Sequence, residues 1–346
     1  MRDTIITQMS IDCKSELENI TGTGEVLVDL SGTGRRRPWG EMKQKNLALV
    51  QLFEAARKLD PEIISDSRMD ALKDCAGWLQ FAEQIDGSRK LAKANFCRVR
   101  LCPMCAWRRS LKLFSQVSAI TDAILTDKPK VRFIFVTLTI RNVSGDDLRK
   151  AIGQMNNGFK KIVDNRKYCA ASAALRENLL GYMKAIEVTY NSRRNDFHPH
   201  IHCIFEVAPA YFDRHSGGGY LTHADWRQMW QLVMGLDYEP QVNVRAIRNT
   251  TAKAVAEVAK YPVKMDGLLK IKNKEKAAKA LIQLKHGIHN CRFVTFGGDF
   301  REYKRRLALD DVDSGDLVHV NTERKELNAV AMVLFKYRAD VGVYVC

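Results

Sequence analysis

The segment from residue 182 to residue 205 constrains the fold most strongly, because it predicts two neighbouring antiparallel strands. Tyr182–Tyr190 and Phe197–Phe205 are rich in apolar and β-branched residues, and the short polar stretch 191–196 separates them. Strands joined by so short a connection pair antiparallel. Residues i and i+2 of each strand project from the same face. The chain therefore requires an antiparallel sheet, and each strand of this pair presents one set of alternate side chains to a core.

The second predicted strand carries His200-Ile201-His202, which directs two imidazoles to one face while Ile201 points to the other. Antiparallel pairing would bring Glu187 of the first strand across from these histidines. Two histidines and a carboxylate with open coordination positions suit Mg²⁺ or Mn²⁺ acting as a Lewis acid on a phosphate. The alternative is a pair of exposed histidines on a hairpin without a ligand role.

Composition and charge indicate a globular protein that binds a polyanion. The chain has 346 residues, of which 46% are apolar, so it can bury a core of one large or two modest domains. Its net charge is +15 and its pI is about 9.4. The charge is clustered, with eight Lys/Arg and no acid between Gly87 and Lys112. Clustered positive charge is typical of a nucleic-acid surface, whereas a merely soluble basic protein would spread it evenly.

Targeting signals and cysteine usage predict a cytoplasmic protein. No stretch of 18 apolar residues exists, and the N-terminus lacks the hydrophobic run of a signal peptide, so no membrane association is expected. Nine cysteines in a reducing compartment do not indicate a disulfide framework. Clustered cysteines in such a chain favour a metal site instead.

Apolar spacing predicts a mixture of helices and strands. Residues 1–45 look like a loosely ordered tether. Helical spacing covers 43–58, 66–84, 106–127, 146–163, 221–234, 250–261 and a lysine-rich stretch to about 284. Further strands are expected at 131–140 and 240–247, with a β pair in the last thirty residues. Hairpin-like neighbours among helices indicate an α+β fold with an antiparallel sheet rather than a doubly wound one.

Four cysteines have the spacing of a zinc knuckle. Cys97, Cys102 and Cys105 follow a C-x4-C-x2-C pattern, and Cys75 precedes them by 22 residues. A Cys-Pro-x-Cys turn holds two thiolates at the angle that tetrahedral zinc needs, and four cysteines complete such a site. Ordinary buried thiols are the alternative.

Arginines and a tryptophan surround this knuckle. Four arginines flank the knuckle cysteines in the sequence, and Trp107 lies between them. This combination suits phosphate contacts beside an aromatic platform. The candidate DNA-binding residues are Arg98, Arg100, Arg108 and Arg109. Solvated surface charge is the alternative for each of them taken singly.

A second group of candidate catalytic residues lies on the predicted helix before Pro262. Glu257 and Tyr261 are four residues apart and share one helix face, and Lys260 and Lys264 lie at the same end. A tyrosine hydroxyl, with a pKa near 10, is a poor nucleophile. It becomes competent when a metal polarises the phosphate it attacks, and nearby ammonium groups favour the phenolate. A solvated Glu–Tyr pair is the alternative.

Five motifs in order resemble those of one family over about residues 75 to 300. They are Phe96-Cys97-x-x-Arg100-x-Cys102-Pro103-x-Cys105, Phe135-Val136-Thr137-Leu138-Thr139-x-x-Asn142, Glu187-Val188-Thr189-Tyr190-Asn191, His198-Pro199-His200-x-His202 and Glu257-x-x-Lys260-Tyr261-x-x-Lys264. The chain thus resembles the single-tyrosine rolling-circle plasmid replication initiators of the His-hydrophobic-His endonuclease superfamily. That resemblance implies a central antiparallel sheet, ferredoxin- or RRM-like, with helices on one side and a small zinc knuckle added.

The resemblance also implies roles and partners. Tyr261 would attack a phosphodiester at the plasmid's double-strand origin and become 5′-phosphotyrosine-linked, and Glu257 would activate water for termination. His200 and His202 would bind the metal with Glu187 as third ligand. His198 would be either a ligand or an orienting group. Plasmid origin DNA is the expected partner, together with a host helicase.

The resemblance divides the chain into four segments. These are an N-terminal flexible and helical extension (1–60), a DNA-binding helical segment with the knuckle (61–127), the catalytic domain (128–305) and a C-terminal β extension (306–346).

Two other functions remain open. A transposase or relaxase shares the metal–tyrosine chemistry, although relaxases usually carry the tyrosine ahead of the histidines. A non-enzymatic zinc-knuckle regulator would explain the cysteines and the charge but not the ordered Glu, His and Tyr set.

Overall fold

The computed structural model describes residues 24–31, 34–85, 87–164, 168–213, 219–247, 255, 265–320 and 329–346. Its helices are α1 (Trp39–Arg57), α2 (Asp66–Asp74), α3 (Pro103–Asp127), α4 (Leu148–Val163), α5 (Ala170–Asn178), α6 (His223–Met234), α7 (Asp266–Leu269), α8 (Lys274–Gly287) and α9 (Asp299–Arg306). Its strands are β1 (Trp78–Gln84), β2 (Arg89–Ala94), β3 (Arg132–Thr139), β4 (Leu179–Asn191), β5 (Asp196–Val207), β6 (Val242–Ile247), β7 (Val294–Gly298), β8 (Ala329–Arg338) and β9 (Val343–Val345).

A five-stranded antiparallel sheet lies at the centre, in the order β6-β3-β5-β4-β7. The expected hairpin forms its middle, and the register sets Glu187 of β4 opposite His200 of β5. On the other side of β5, Thr139 of β3 lies opposite His200. The predicted α+β class with a central antiparallel sheet is therefore confirmed.

Helices cover the sheet face that points away from the histidines. Phe205 of β5 has its ring centroid 5.9 Å from that of Phe159 in α4 and 5.6 Å from that of Trp226 in α6. Because side chains alternate along a strand, Phe205 and His202 project from opposite faces. The helix α6 begins as its sequence predicts, since Thr222 accepts a hydrogen bond from the backbone N–H of Asp225 and forms a capping box. The histidine face thus stays separate from the α4–α6 layer.

A second, four-stranded sheet has the order β2-β1-β8-β9 and was not expected. The prediction of one helix over 66–84 is wrong beyond Asp74, where α2 ends and the chain turns through Ala76 at φ 50° into β1. β1 pairs along its length with β8 from the far end of the chain. The predicted terminal β pair is present as β8 and β9.

The described part of the N-terminal region is packed rather than loose, which corrects the expectation of a tether to about residue 45. Val26 forms an antiparallel bridge to Val345. The indole Nε1 of Trp39 donates to the buried Asp29 carboxylate at 2.7 Å, and α1 starts at this tryptophan. Residues 1–23 lie outside the described chain.

The two sheets bear on the predicted segments. β8 belongs to the segment 306–346 and pairs with β1 of the segment 61–127, so these two share one sheet. The four-segment division otherwise stays a prediction. Within the described parts of the chain, no helix is both long and apolar enough to cross a membrane.

Candidate functional site

Glu187, His200 and His202 meet at one end of the central sheet. The Oε2 atom of Glu187 lies 3.1 Å from Nε2 of His200 and 3.0 Å from Nε2 of His202. The three ligand atoms fall within 4.8 Å of one another. Glu187 and His202 are buried, while His200 keeps partial exposure. The convergence follows from the register, because the two histidines alternate on β5 and the glutamate faces them from β4.

Neighbouring groups fix both imidazoles. The Nδ1 of His202 lies 3.1 Å from the hydroxyl of Thr137, and its ring stacks on Phe135 with a centroid distance of 5.7 Å. The Nδ1 of His200 lies 3.2 Å from the carbonyl oxygen of His198. The Nε2 atoms of both rings are therefore turned towards Glu187. Sequence reasoning did not single out Thr137, although it lies on β3 directly opposite His202.

His198 is adjacent to this group but not part of it. Its ring centroid lies 5.2 Å from that of His200, yet the close set of ligand atoms contains only Glu187, His200 and His202. Burial lowers the pKa of His198, and the neighbouring His200 lowers it further. The structure thus brings three of the four predicted residues together and leaves His198 beside them.

The donor set fits a divalent cation. Imidazole nitrogens and a carboxylate oxygen suit Mn²⁺ and related ions, and three protein ligands leave coordination positions for a substrate. Each histidine is held through its other nitrogen, the arrangement that fixes the tautomer of metal-binding histidines. Glu187, His200 and His202 could therefore hold a divalent metal ion.

The predicted catalytic residues Tyr261, Glu257, Lys260 and Lys264 lie outside the described residues. The chain is described again from Met265, and Gly267 of α7 packs against β4. A Cβ added to Gly267 would stand 2.9 Å from the carbonyl oxygen of Tyr190, three residues beyond Glu187. In the sequence Tyr261 precedes Met265 by four residues, a length of chain that spans at most about 14 Å.

A second, separate cluster of possible metal ligands consists of Cys75, Cys97, Cys102 and Cys105. Sγ–Sγ distances of 3.6 Å join Cys75 to Cys105, Cys97 to Cys105 and Cys75 to Cys102. All four residues are buried. Ideal tetrahedral zinc with Zn–S bonds near 2.3 Å requires sulfur atoms about 3.8 Å apart. The cluster therefore fits a four-coordinate metal.

Backbone and side-chain donors surround the four sulfurs. The backbone N–H of Cys97 donates to Sγ of Cys75, and the amide of Asn46 donates to Sγ of Cys102, each at 3.4 Å. The ammonium of Lys43, buried in α1, donates to the carbonyl of Cys75 at 2.7 Å. Donors of this kind stabilise thiolates. Sequence reasoning missed Asn46 and Lys43 because α1 reaches the knuckle only through tertiary packing.

Arg108 and Arg109 are buried in the fold, which corrects their assignment as DNA contacts. The Arg108 guanidinium donates to the carbonyls of Leu317 and Val318 at 2.9 and 2.7 Å. It also packs over the ring of Trp39 at 5.2 Å. Arg109 donates to the carbonyl of Arg98 at 2.9 Å. Residues 1% and 2% exposed cannot reach a phosphate on the surface.

Arg98 and Arg100 retain accessible surface. Arg98 is exposed and donates to the carbonyl of Ser314 at 2.7 Å. Arg100 is half-buried, donates to the carbonyl of Cys291 at 2.8 Å and lies 4.9 Å from the ring centroid of Phe293. Arg100 also lies 4.0 Å from the Asp313 carboxylate, so Arg98 is the more accessible of the two.

Comparison with known proteins identifies relatives along nearly the whole chain. The Rep_1 family model, described as "Replication protein", matches residues 88–345. A "Protein rep" of Streptococcus pneumoniae serotype 2 (strain D39 / NCTC 7466) is 32% identical over 331 residues, covering 95% of this chain and 98% of its own length. A "Protein rep" of Lentilactobacillus hilgardii is 31% identical and covers 88% of this chain and 93% of its own length. A "Replication protein" of Staphylococcus aureus is 35% identical over 217 residues, 61% of this chain and 88% of its own length. No solved structure gives a significant match.

Proposed function

The chain belongs to the Rep_1 family of replication proteins, and from this premise we propose that it initiates rolling-circle replication of a plasmid by nicking one strand at the double-strand origin. The convergence of Glu187, His200 and His202 carries the proposal. A replication protein that only bound DNA would have no need for an open metal-type site at the end of its central sheet. The net charge of +15 supports binding to a polyanionic substrate.

Tyr261 is the proposed nucleophile. Its phenol gives up a proton and its oxygen forms a bond to phosphorus, while the bond from phosphorus to the 3′-oxygen breaks and that oxygen takes up a proton. The products are a 5′-phosphotyrosine and a free 3′-OH that can prime synthesis. Lys260 and Lys264 favour the phenolate by their charge. The tether of Tyr261 to Met265, whose neighbour Gly267 packs beside Tyr190, supports its reach towards the histidines.

Glu187, His200 and His202 would hold Mg²⁺ or Mn²⁺, and such an ion polarises a phosphoryl oxygen. Thr137 keeps the His202 ring in place through its hydroxyl. His198 acts as an orienting group rather than a ligand, because its carbonyl oxygen lies against Nδ1 of His200. Mutation of a side chain that supports a ligand, such as Thr137, typically costs about 10- to 100-fold in metal affinity or activity.

Glu257 is the proposed base of termination. A chain that uses one tyrosine must cleave the regenerated origin by another route, and water needs a base to attack the phosphodiester. Glu257 stands four residues before Tyr261, one helical turn away on the predicted helix. It takes the proton of water as the oxygen bonds to phosphorus and the 3′-oxygen leaves.

The knuckle cysteines would hold a structural Zn²⁺ apart from the cleavage site. Arg98 and Arg100 are the remaining candidates of the predicted set for contacts to DNA phosphates. Plasmid origin DNA is the substrate, with a single strand extruded at the nick. A host helicase is the proposed partner for unwinding.

Supercoiled origin plasmid incubated with the protein and Mn²⁺ tests this function. The wild-type chain should produce nicked circles with protein bound to the 5′ end, detected after denaturation. Tyr261→Phe should bind the plasmid but form no adduct, because it lacks the attacking oxygen. In an extract that supplies helicase and polymerase, Glu257→Ala should form the adduct yet release fewer displaced circles.

Tyr303→Phe is the matched control, since Tyr303 is buried and its hydroxyl donates to Asp127 at 2.8 Å. This control should nick normally. An adduct retained in Tyr261→Phe, or absent from the wild-type protein, would contradict the proposal.

A further inference from the structure

A groove runs along the end of the central sheet that carries the histidines. One hollow of ≈ 750 Å³ is lined by Thr139, Arg141, Arg194, His198 and Tyr238, among others. It shares Thr139 with a hollow of ≈ 540 Å³ on the β6 side, and it shares Arg194 and His198 with a third of ≈ 480 Å³ on the β4 side. The shared lining residues place these three hollows side by side along this end of the sheet, and together they are called here the sheet-end groove.

Arg141 and Tyr238 form a stacked pair in this groove. The guanidinium carbon of Arg141 lies 3.8 Å from the ring centroid of Tyr238. The backbone N–H of Arg141 donates to the Tyr238 hydroxyl at 2.8 Å, so the ring is held at two points. Arg141 is nevertheless exposed. Its charge lies over an aromatic ring, and its guanidinium plane borders solvent.

The backbone around Arg141 is anchored on both sides. Before it, the hydroxyl of Thr139 donates to the carbonyl of Gln241 at 2.8 Å. After it, Val143 and Phe197 exchange two backbone hydrogen bonds of 2.8 Å. A side chain whose plane is already fixed loses less conformational entropy on binding than a free surface arginine. The pair is therefore pre-organised for a flat ligand.

The stacked pair adjoins the Glu187, His200 and His202 group. Arg141 follows Thr139 by two residues, and Thr139 pairs directly with His200. His198, which shares the groove, has its ring 5.2 Å from that of His200. A single strand of DNA that lies on the Arg141–Tyr238 pair would therefore pass close to Glu187, His200 and His202.

The acids of the groove are already paired, which leaves the groove suited to an anion. Asp196 pairs with Arg194 at 3.0 Å, and Glu239 pairs with Arg227 at 3.0 Å. Arg141 stacks on the Tyr238 ring, and among the residues that the structure describes no carboxylate pairs with it. Unpaired bases in single strands are recognised by stacking on aromatic rings and guanidinium planes, with cationic groups along the backbone.

We propose that the Arg141–Tyr238 pair is a stacking platform for one unpaired base of the DNA strand beside the scissile phosphate. It is a positioning element: it holds the strand so that the phosphate meets the Glu187, His200 and His202 group. The inference rests on the proposed function, because the substrate must be single-stranded at the nick. The competing explanation is a structural clip that joins the 236–241 loop to the end of β3.

Abasic scanning of a single strand tests the platform. The full chain, with Tyr261→Phe to prevent cleavage, is titrated against fluorescent oligonucleotides that span the mapped nick. Each oligonucleotide lacks one base near the nick. One position should weaken binding by about 5- to 100-fold, the range expected for loss of a stacked base. In the Arg141→Leu variant the intact strand should bind more weakly, and the same abasic position should have no further effect.

Two further variants separate stacking from charge and from structure. Arg338→Leu removes an exposed arginine of β8 that pairs with Asp340. This variant should keep the full effect of the abasic position. Tyr238→Phe keeps the ring and should keep the effect as well. An unchanged abasic profile in Arg141→Leu would overturn the platform, and so would a lowered melting temperature with equal loss at every position, as a structural clip predicts.

The outcome is separable from that of the proposed function. If wild-type protein nicks the plasmid but shows no position that couples to Arg141, the platform is wrong and the nicking function stands. If wild-type protein forms neither nick nor adduct, the proposed function is wrong whatever the binding profile.

Discussion

Two clusters of ligand atoms in this chain are built in opposite ways. The four cysteines are all buried, and their sulfurs are arranged for a complete tetrahedral shell. The Glu187, His200 and His202 group offers three ligand atoms, and the ring of its neighbour His198 borders an open groove. Closed four-cysteine sites contribute folding energy, whereas sites with three protein ligands leave room for a reacting group.

The supporting residues differ in the same sense. Donors to the cysteine cluster come from the backbone and from α1, so the cluster joins α1, the turn before β1 and the start of α3. The histidine group is held within three adjacent strands, by Thr137 of β3 and by the backbone of β5 itself. Loss of the first cluster should therefore affect the fold, and loss of the second should affect chemistry alone.

The largest expected effect comes from breaking the cysteine cluster. Structural zinc sites supply on the order of 10 kcal/mol of apparent binding energy to folding, so Cys102→Ser should lose metal and unfold the region around 75–110. Metal analysis of the purified protein and hydrogen exchange of this region measure both effects. Cys291→Ser, at a half-buried cysteine outside the cluster, is the control. Wild-type protein with no bound zinc would contradict the comparison.

A smaller effect on stability, but a large one on activity, is expected from the histidine group. His202→Ala should reduce plasmid nicking by about 10³-fold or more, because a metal supplies several kcal/mol of transition-state stabilisation. The melting temperature should change little, and duplex affinity should be retained. His289→Ala, remote from this group in the sequence, is a matched control. Full nicking by EDTA-treated protein would show that the group is not a metal site.

The sequence predicted the histidine group better than the second sheet. The alternation of β5 and the short connection to β4 are local signals, and together they specify that Glu187 faces His200. β1 pairs with the adjacent β2 on one side, but its other partner, β8, lies about 250 residues away. Strand formation that depends on tertiary pairing is poorly encoded in local propensity. The apolar spacing of 66–84 therefore suggested a helix that ends in fact at Asp74.

The burial of Arg108 and Arg109 could not be predicted from the sequence either. Arg108, Lys112 and Gln116 recur every four residues on α3 and so form one polar stripe, which the sequence suggests should face solvent. Instead, residues 310–318 cover the stripe and offer carbonyl oxygens to it: Lys112 donates to Asp316 and Gln116 to Asp310. When a buried cation donates to backbone carbonyls far away in the chain, the residues around it in the sequence do not indicate that it is buried.

Substitution of Arg108 tests whether the arginines beside the cysteine cluster stabilise the fold rather than bind DNA. Arg108→Gln should lower the free energy of unfolding by roughly 1–3 kcal/mol for each carbonyl left without its donor. DNA affinity measured well below the melting temperature should be unchanged. Arg98→Gln, at an exposed site, should change stability by less than about 0.5 kcal/mol. Reduced DNA affinity in a stable Arg108→Gln protein would restore that residue to the DNA surface.

A last effect, which depends on pH, concerns a second buried carboxyl on the histidine face of the sheet. Glu206 of β5 lies opposite Phe133 at the other end of the strand, and burial, together with the neighbouring Asp299, raises its pKa to about 8. Asp299 itself pairs with Lys128. The folded state therefore binds a proton that the unfolded chain releases near pH 4.5, so this carboxyl favours folding at low pH.

As pH rises from about 4.5 to 8, the contribution of Glu206 to stability should fall by up to about 1.4 kcal/mol per pH unit. Glu206→Gln cannot ionise, so it should flatten this part of the profile and be the more stable protein above pH 8. Chemical denaturation across this range measures the slope, with Glu302→Gln on the exposed side of α9 as control. Parallel profiles for wild type and Glu206→Gln would mean that the Glu206 carboxyl is ionised in the folded protein.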